Sequence, residues 1–308
     1  MIDFIGECKE IIELKEAARK VAASDVTTLI CGETGVGKEV LANYIWKLSN
    51  RKNAPFVPVS CAALSSALAE DELFGHTVGA FTGAVKEAKG KIALAENGVL
   101  LLDEIGDLEP AAQSMLLRFL QFKEYTPIGA VVPIKANVRI IGTTNKNLLD
   151  LISLGRFRKD LYYRFNVVSL TVPPLRKRGN DILLLANFFL KRLSDFQNIR
   201  KTKVSPKAAK KLLEYYWYGN IRELENTIER AFVFSDKKQI KEENIRFESV
   251  VESDLLLPYK EAVNSFKREY IERALDECHW NQTLTAKKLK LQRTYLARLI
   301  KELDISKI

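Results

Sequence analysis

The sequence predicts an α/β fold in which a parallel sheet is covered by helices, followed by a small helical subdomain and an all-α C-terminal segment. Three features carry that expectation. Over residues 1–172 short apolar runs alternate with longer amphipathic stretches, the pattern of buried parallel strands joined by helices. Over residues 173–250 the periodicity is helical, with no strand signal. Residues 251–308 are again helical and carry a concentrated basic face.

The expected strands are Val26–Cys31, Phe56–Ser60, Val99–Leu102, Val138–Gly142 and Val167–Leu170. Lys38–Leu48 and Pro110–Phe122 read as helices between them. The stretch Val172-Pro173-Pro174-Leu175-Arg176-Lys177-Arg178-Gly179-Asn180 marks a boundary, because two prolines and a basic cluster continue neither a strand nor a helix. A second break falls at Glu252-Ser253-Asp254 and Pro258.

Composition narrows the class. A chain of 308 residues that is 47% hydrophobic and 28% charged has enough apolar material for two or three cores, which excludes disorder as the main state. No apolar stretch is long enough to span a bilayer and the start lacks a secretory leader, so no membrane partner and a cytoplasmic location are expected. Cys8, Cys31, Cys61 and Cys278 form no CxxC pair, which argues against a disulfide framework and a zinc site. Cys31 and Cys61, with Trp46, Trp217 and Trp280, read as core residues. Two histidines, His76 and His279, exclude most imidazole-based metal sites, and His76 is expected to pack beside the loop that follows it. The net charge of +9 suggests a polyanionic partner.

The segment Gly32-Glu33-Thr34-Gly35-Val36-Gly37-Lys38-Glu39 follows the first strand and opens a helix, the context of a P-loop. Its glycines let successive amides face one anion, the helix aims its positive end there, and Lys38 would reach the phosphates. Glu39 stands where Ser or Thr usually meets Mg²⁺. Val99–Leu102 then runs into Asp103-Glu104, placing two carboxylates at the end of a buried strand. Asp103 suits Mg²⁺ and Glu104 suits the orientation and deprotonation of an attacking water. Together the two segments point to a nucleoside triphosphate with Mg²⁺, and the resemblance below makes it ATP.

Gly79-Ala80-Phe81-Thr82-Gly83-Ala84, preceded by Glu72-Leu73-Phe74-Gly75-His76, resembles the signature loop of the AAA+ ATPases that activate sigma-54 RNA polymerase, the bacterial enhancer-binding proteins. The resemblance runs from Phe4-Ile5-Gly6 to Leu303, and the family's P-loop also carries Glu where Glu39 stands. It implies an AAA+ P-loop NTPase with a helical lid subdomain and a Fis-type helix-turn-helix domain. It implies that Ile5 and Gly6 join the nucleotide contacts and that Asn145, in Thr143-Thr144-Asn145, is the sensor I residue. Arg158 and Arg164 would be arginine fingers reaching a neighbour's nucleotide, and Arg222, within Trp217–Asn226, the sensor II arginine. The family usually has Pro where Tyr218 stands. It also carries an Asn that restrains the Walker B glutamate where this chain has Ser60, ahead of Cys61-Ala62-Ala63-Leu64; the shorter hydroxyl implies looser coupling between partner contact and hydrolysis.

The implied activity is ATP-driven remodelling of the sigma-54 RNA polymerase holoenzyme from closed to open complex. The loop at Gly79–Ala84 would touch the sigma factor, its glycines allowing it to extend or fold back at little steric cost. The implied assembly is a homo-oligomeric ring, taken as a hexamer, with a dimer as its inactive form. Another AAA+ remodeller, or a DNA-binding regulator with a degenerate ATPase, accounts less well for the signature loop and the intact Lys38, Asp103 and Glu104. No receiver domain precedes Gly32. That leaves a short member controlled by a trans-acting regulatory protein, or a chain parted from its regulatory domain.

Residues Asn281–Leu303 resemble the Fis-type reader. A helix over Leu284–Leu289, a turn at Lys290-Leu291-Gln292 and a second helix burying Leu296, Ile300 and Leu303 are expected. Arg293, Thr294, Ala297, Arg298 and Lys301 lie off that stripe and suit double-stranded DNA, as an upstream inverted repeat. The family usually has Gly where Lys290 stands. A preceding helix over Tyr259–Glu277, with Ala262, Phe266, Tyr270, Ile271, Ala274 and Leu275, is expected to make the dimer contact.

Overall fold

The computed structural model describes the chain except residues 1–3, 64–68, 198, 200–201, 237, 248–262, 265, 269, 272–273, 276–277, 279, 304 and 306–308. Its contacts form two compact units, residues 1–247 and 248–308.

The first unit begins with α1 (Lys9–Ala22), which buries Ile11, Leu14, Ala18 and Val21 at helical spacing, and β1 (Thr28–Cys31). Then come α2 (Lys38–Leu48), β2 (Phe56–Ser60) and α3 (Ala69–Phe74). A two-residue antiparallel ladder, β3 (Gly75–His76) with β4 (Ala88–Lys89), carries a long loop between its strands. After α4 (Lys91–Leu94), β5 (Val99–Asp103) and α5 (Pro110–Phe122), a second short hairpin joins β6 (Glu124–Tyr125) to β7 (Ile134–Lys135). β8 (Arg139–Thr144), α6 (Leu148–Ser153), α7 (Lys159–Phe165) and β9 (Val168–Thr171) complete this part.

The main sheet has the order β2-β5-β8-β1-β9, and every pairing in it is parallel. The inner strands β5, β8 and β1 are buried on both faces, which explains the unbroken apolar run of β5, whereas the edge strands β2 and β9 are partly exposed. Leu100, Leu102 and Ile140 face a core with Leu73, Phe74, Phe119 and Phe165 from α3, α5 and α7. Leu101, Ile141 and Ile30 face the opposite core with Ile11, Leu41 and Ile45 from α1 and α2. The alternation along each strand sends successive residues to opposite cores.

A third core lies among α8 (Asp181–Phe196), α9 (Pro206–Glu214) and α10 (Asn220–Val233), where Leu190, Leu212, Leu224 and Ile228 surround the fully buried Trp217. The wholly helical reading of this region needs a correction. β10 (Lys203–Val204) pairs in parallel with β11 (Gln239–Ile240). Two residues per strand are too few for an alternation signal. Trp46 and Cys31, expected in the core, are half-buried. The Trp46 indole must reach the Arg51 and Ala54 carbonyls, and Cys31 sits at the open end of its strand. Cys61 is buried as expected.

In the second unit a helix over Gln282–Lys288 is capped by Asn281, whose Oδ1 accepts from the Thr283 and Leu284 amides, and a second helix spans Arg293–Glu302. Lys290, in the turn between them, has φ +55°. Ile271, Leu275, Ala286, Leu296 and Leu299 form the core, with Trp280, Ile300 and Leu303 half-buried at its edge. The expected stripe is thus corrected: Leu299 takes the inner place, because so small a core closes around the centre of the helix. Ile271, Ala274 and Leu275 are used up inside this unit. Of the expected dimer face only Phe266 and Tyr270 are exposed among the described residues, their rings stacked at 5.8 Å. Tyr259, Ala262 and Glu277 lie outside the described residues. No helix among the described residues is long and apolar enough to cross a membrane.

Candidate active site

Because β5, β8 and β1 are parallel neighbours, their C-terminal ends deliver the P-loop, Asp103-Glu104 and Asn145 to one edge of the sheet. Gly35 has φ +79°, and a Cβ there would fall 2.4 Å from the Gly219 carbonyl of the helical subdomain, so no side chain fits. Gly37, also left-handed, is the N-cap of α2. Lys38 is 6% exposed. Its Nζ donates to the carbonyls of Gly32 (2.9 Å) and Glu33 (3.3 Å) and pairs with Glu104 Oε1 at 3.1 Å.

Glu104 has φ +56°, an uncommon conformation for a residue with a side chain. Three bonds hold its surroundings. Its amide donates to Thr143 Oγ1 (3.1 Å), its Oε2 accepts from the Asn145 amide (2.9 Å), and the Thr143 hydroxyl donates to Asp103 Oδ1. Asn145 Nδ2 donates to Thr34 Oγ1 at 2.9 Å, joining the end of β8 to the P-loop. Ser60 pairs with Asp103 in the β2–β5 register and is exposed; no hydrogen bond joins it to Glu104 among the described residues. Leu64 lies outside the described residues.

These groups line a cavity of about 490 Å³, within the usual range for a small-molecule site. Thr34, Gly35, Gly37, Lys38 and Glu39 form one side and Asp103, Glu104 and Asn145 another, with Arg222 at the rim. Phe4, Ile5, Leu185, Phe188, Phe189 and Ile221 make its apolar end. Four expected contacts do not line it. The Gly6 carbonyl accepts from Lys15 Nζ, the Gly32 carbonyl accepts from Lys38, and the Val36 carbonyl accepts from Arg178. Glu33 turns to Arg176, its Oε1 and Oε2 at 2.5 and 2.7 Å from the guanidinium. That pairing holds its carboxyl below the ordinary carboxylate range.

Arg176, Arg178 and Asn220, which bond to the P-loop, are the residues that sequence reasoning missed. The first two lie in the stretch read only as a boundary. Arg178 is 1% exposed and donates to the carbonyls of Pro173 and Val36, and burial pushes its pKa down to about 10. Asn220, fully buried, accepts from the Leu175 amide and donates to Glu33 Oε2 (3.1 Å) and the Thr34 carbonyl (3.0 Å). A polar residue two positions before Arg222 was the available signal.

Arg158 and Arg164 stand away from this cavity. Arg158 pairs with Asp160 at 2.8 Å and donates to Ser114 Oγ, while Arg164 is exposed with no partner among the described residues. The Gly79–Ala84 segment forms the loop between β3 and β4. Gly79 and Ala84 close it (N···O 2.9 Å), and Gly79 and Gly83, with φ +80° and +106°, face open space. Thr82 is exposed, and Phe81, 44% exposed, rests edge-on against His76 as expected. The β6–β7 hairpin straps the root, with the Thr77 amide donating to Ile128 and the Ile128 amide to Gly75. In the second unit Arg293, Thr294, Ala297 and Arg298 are exposed on the last helix, which also contains Lys301, whose side chain lies outside the described residues.

The cavity fits a nucleoside triphosphate with its cation. A left-handed glycine turn at a helix N-terminus and a buried lysine suit phosphates, a carboxylate oxygen at Asp103 suits Mg²⁺, and the apolar end suits a base.

A model of the sigma-54 interaction domain matches residues 4–171. The chain belongs to the sigma-54 interaction domain family. Models of an AAA+ ATPase lid domain and of the bacterial regulatory proteins of the Fis family match residues 176–254 and 263–303. The expected fold class is therefore correct: an AAA+ P-loop NTPase with a lid and a C-terminal helix-turn-helix. Over 308 residues the chain is 40% identical to nitrogen fixation protein AnfA of Azotobacter vinelandii, covering 99% of this chain and 58% of that protein. It is 41% identical over 317 residues to the anaerobic nitric oxide reductase transcription regulator NorR of Salmonella arizonae, covering 98% and 63%. The chain thus spans about three fifths of these family members. Its fold is similar to crystalline NtrX from Brucella abortus in complex with ATP, with a TM-score of 0.74 and 31% identity over 99% of this chain and 70% of that one.

Proposed function

We propose that this chain is an ATP-dependent transcriptional activator. It binds double-stranded DNA at an upstream inverted repeat, assembles into a hexameric ring from inactive dimers, and remodels the closed complex of the sigma-54 RNA polymerase holoenzyme into an open complex in the cytoplasm. Residues 1–172 form the ATPase subdomain, 173–250 its lid and 251–308 the DNA reader.

The observation that carries this reading is the meeting of Lys38, Asp103, Glu104 and Asn145 at the sheet edge, on a strand whose core also holds the root of the loop. Leu73 and Phe74 of α3 share that core with Leu102 and Ile105, which flank the two acids. The base takes the apolar end, and the P-loop amides with Lys38 take the phosphates. Asp103 would hold Mg²⁺, which would supply neutralisation of phosphate charge. The ammonium that pairs with Glu104 is the one the phosphates attract, so nucleotide entry frees a carboxylate oxygen to accept the proton of the attacking water. Asn145 positions that water, and Arg222 reads the γ-phosphate from the lid. Arg158 and Arg164, away from their own cavity, serve the neighbouring protomer's nucleotide. The Phe81–Thr82 tip meets the sigma factor, and Arg293, Thr294, Ala297, Arg298 and Lys301 meet DNA.

The test is ATP-dependent open-complex formation on a sigma-54 promoter, wild type against Thr82→Ala. Thr82→Ala is expected to hydrolyse ATP and leave the promoter closed. Promoter opening by wild type without ATP, or full opening by Thr82→Ala, contradicts the proposal.

A further inference from the structure

The root of the loop is held by a residue that no step above uses. His76, the last residue of β3, has an 11% exposed side chain and is engaged on three sides. Nδ1 lies 2.5 Å from Asp71 Oδ1 on α3, Nε2 lies 2.9 Å from the Lys86 carbonyl on the returning limb, and the ring meets Phe81 at 4.9 Å and 66°. Each nitrogen faces an acceptor oxygen, so the ring is placed between α3 and the returning limb and can donate to either. The backbone bonds from Ile128 reach Gly75 and Thr77 only, and none of them ties the returning limb to α3. The β3–β4 ladder is two residues per strand, and Gly79 and Gly83 touch nothing that a side chain would meet within 4 Å.

We propose that His76 is the positioning residue of the loop: its ring staples the returning limb to α3 and seats Phe81. A shift of α3 is then passed to the tip instead of being absorbed at the root. α3 is the right element to receive such a shift, because Leu73 and Phe74 pack in the core that holds Leu102, next to Asp103. The inference rests on reading the loop as the part that meets the sigma factor.

The test compares wild type, His76→Ala, His76→Gln and Thr82→Ala as full chains, for ATP turnover and for open-complex yield. Turnover of both His76 variants is expected within about twofold of wild type, since the ring touches no residue of the cavity. Open-complex yield is expected to fall at least ~10-fold in His76→Ala, as for a misplaced contact group, and to recover in part in His76→Gln, whose amide can still donate to the Lys86 carbonyl. A second readout is independent of transcription. The chain has two histidines, so ¹⁵N-histidine NMR resolves them readily. An exchange-protected ring N–H is expected on His76, and Asp71→Ala, which removes the oxygen facing Nδ1, is expected to lower that protection. Equal open-complex yield in His76→Ala and wild type overturns the proposal, as does a His76 ring without protected protons. A wild type that opens no promoter removes the reading of the loop instead, and the NMR result alone then decides whether the staple exists.

Discussion

Glu33 belongs to the P-loop, yet its carboxylate serves the lid. Arg176 grips it through two bonds, Asn220 adds a third, and Arg176 lies over the Tyr216 ring at 4.8 Å. The pair is partly exposed, so its worth stays below about 1 kcal/mol. Because Arg176 lowers the Glu33 pKa, the pair's contribution is complete above the ordinary carboxylate range and disappears as pH falls through the lowered value. Thermal denaturation should therefore find Glu33→Gln less stable than wild type at neutral pH, with the gap closing in acid. A gap that is constant with pH would mean the carboxylate charge contributes nothing. At the same scale, Asp103 and Glu104 were legible because they end an apolar run, and Lys38 because it closes a glycine-rich turn at the start of a helix. Arg176 and Asn220 were not, because their partners lie 143 and 187 positions away and no local spacing encodes that.

Among the elements, legibility tracked length. The five strands of the main sheet are four to six residues long, each with at least two apolar residues, which is long enough to stand out. The paired strands β10 and β11 have two residues each and give no period to read. The last helix shows a subtler failure. Leu296 was placed correctly, but Leu299 rather than Ile300 completes the inner face, since a small core selects by geometry among equally apolar neighbours. The turn before that helix holds Lys290 at φ +55°, a conformation that costs a residue with a Cβ on the order of 1 kcal/mol. Lys290→Gly should stabilise the C-terminal unit by about that amount in calorimetry of the full chain, and destabilisation would show that the lysine side chain makes a compensating contact.

At the scale of the whole molecule, neither of the two arginines proposed as fingers lines the cavity: Arg158 is tied to Asp160 and Ser114, and Arg164 is exposed outside it. Under the proposed function, specific ATPase activity should rise with protein concentration. Arg158→Ala should lower turnover on the order of 10³-fold with nucleotide affinity little changed. Turnover independent of concentration would confine catalysis to one protomer. The apolar end of the cavity carries a different consequence. Asp181, in the first turn of α8, accepts from the amides of Glu7 (2.7 Å) and Cys8 (3.2 Å), so the segment bearing Phe4 and Ile5 is moored to the helix bearing Leu185, Phe188 and Phe189. The two apolar banks of the cavity are therefore joined to one another. Under the proposed function, neither bank can then part from the other without giving up those bonds, so a base would be held by both together.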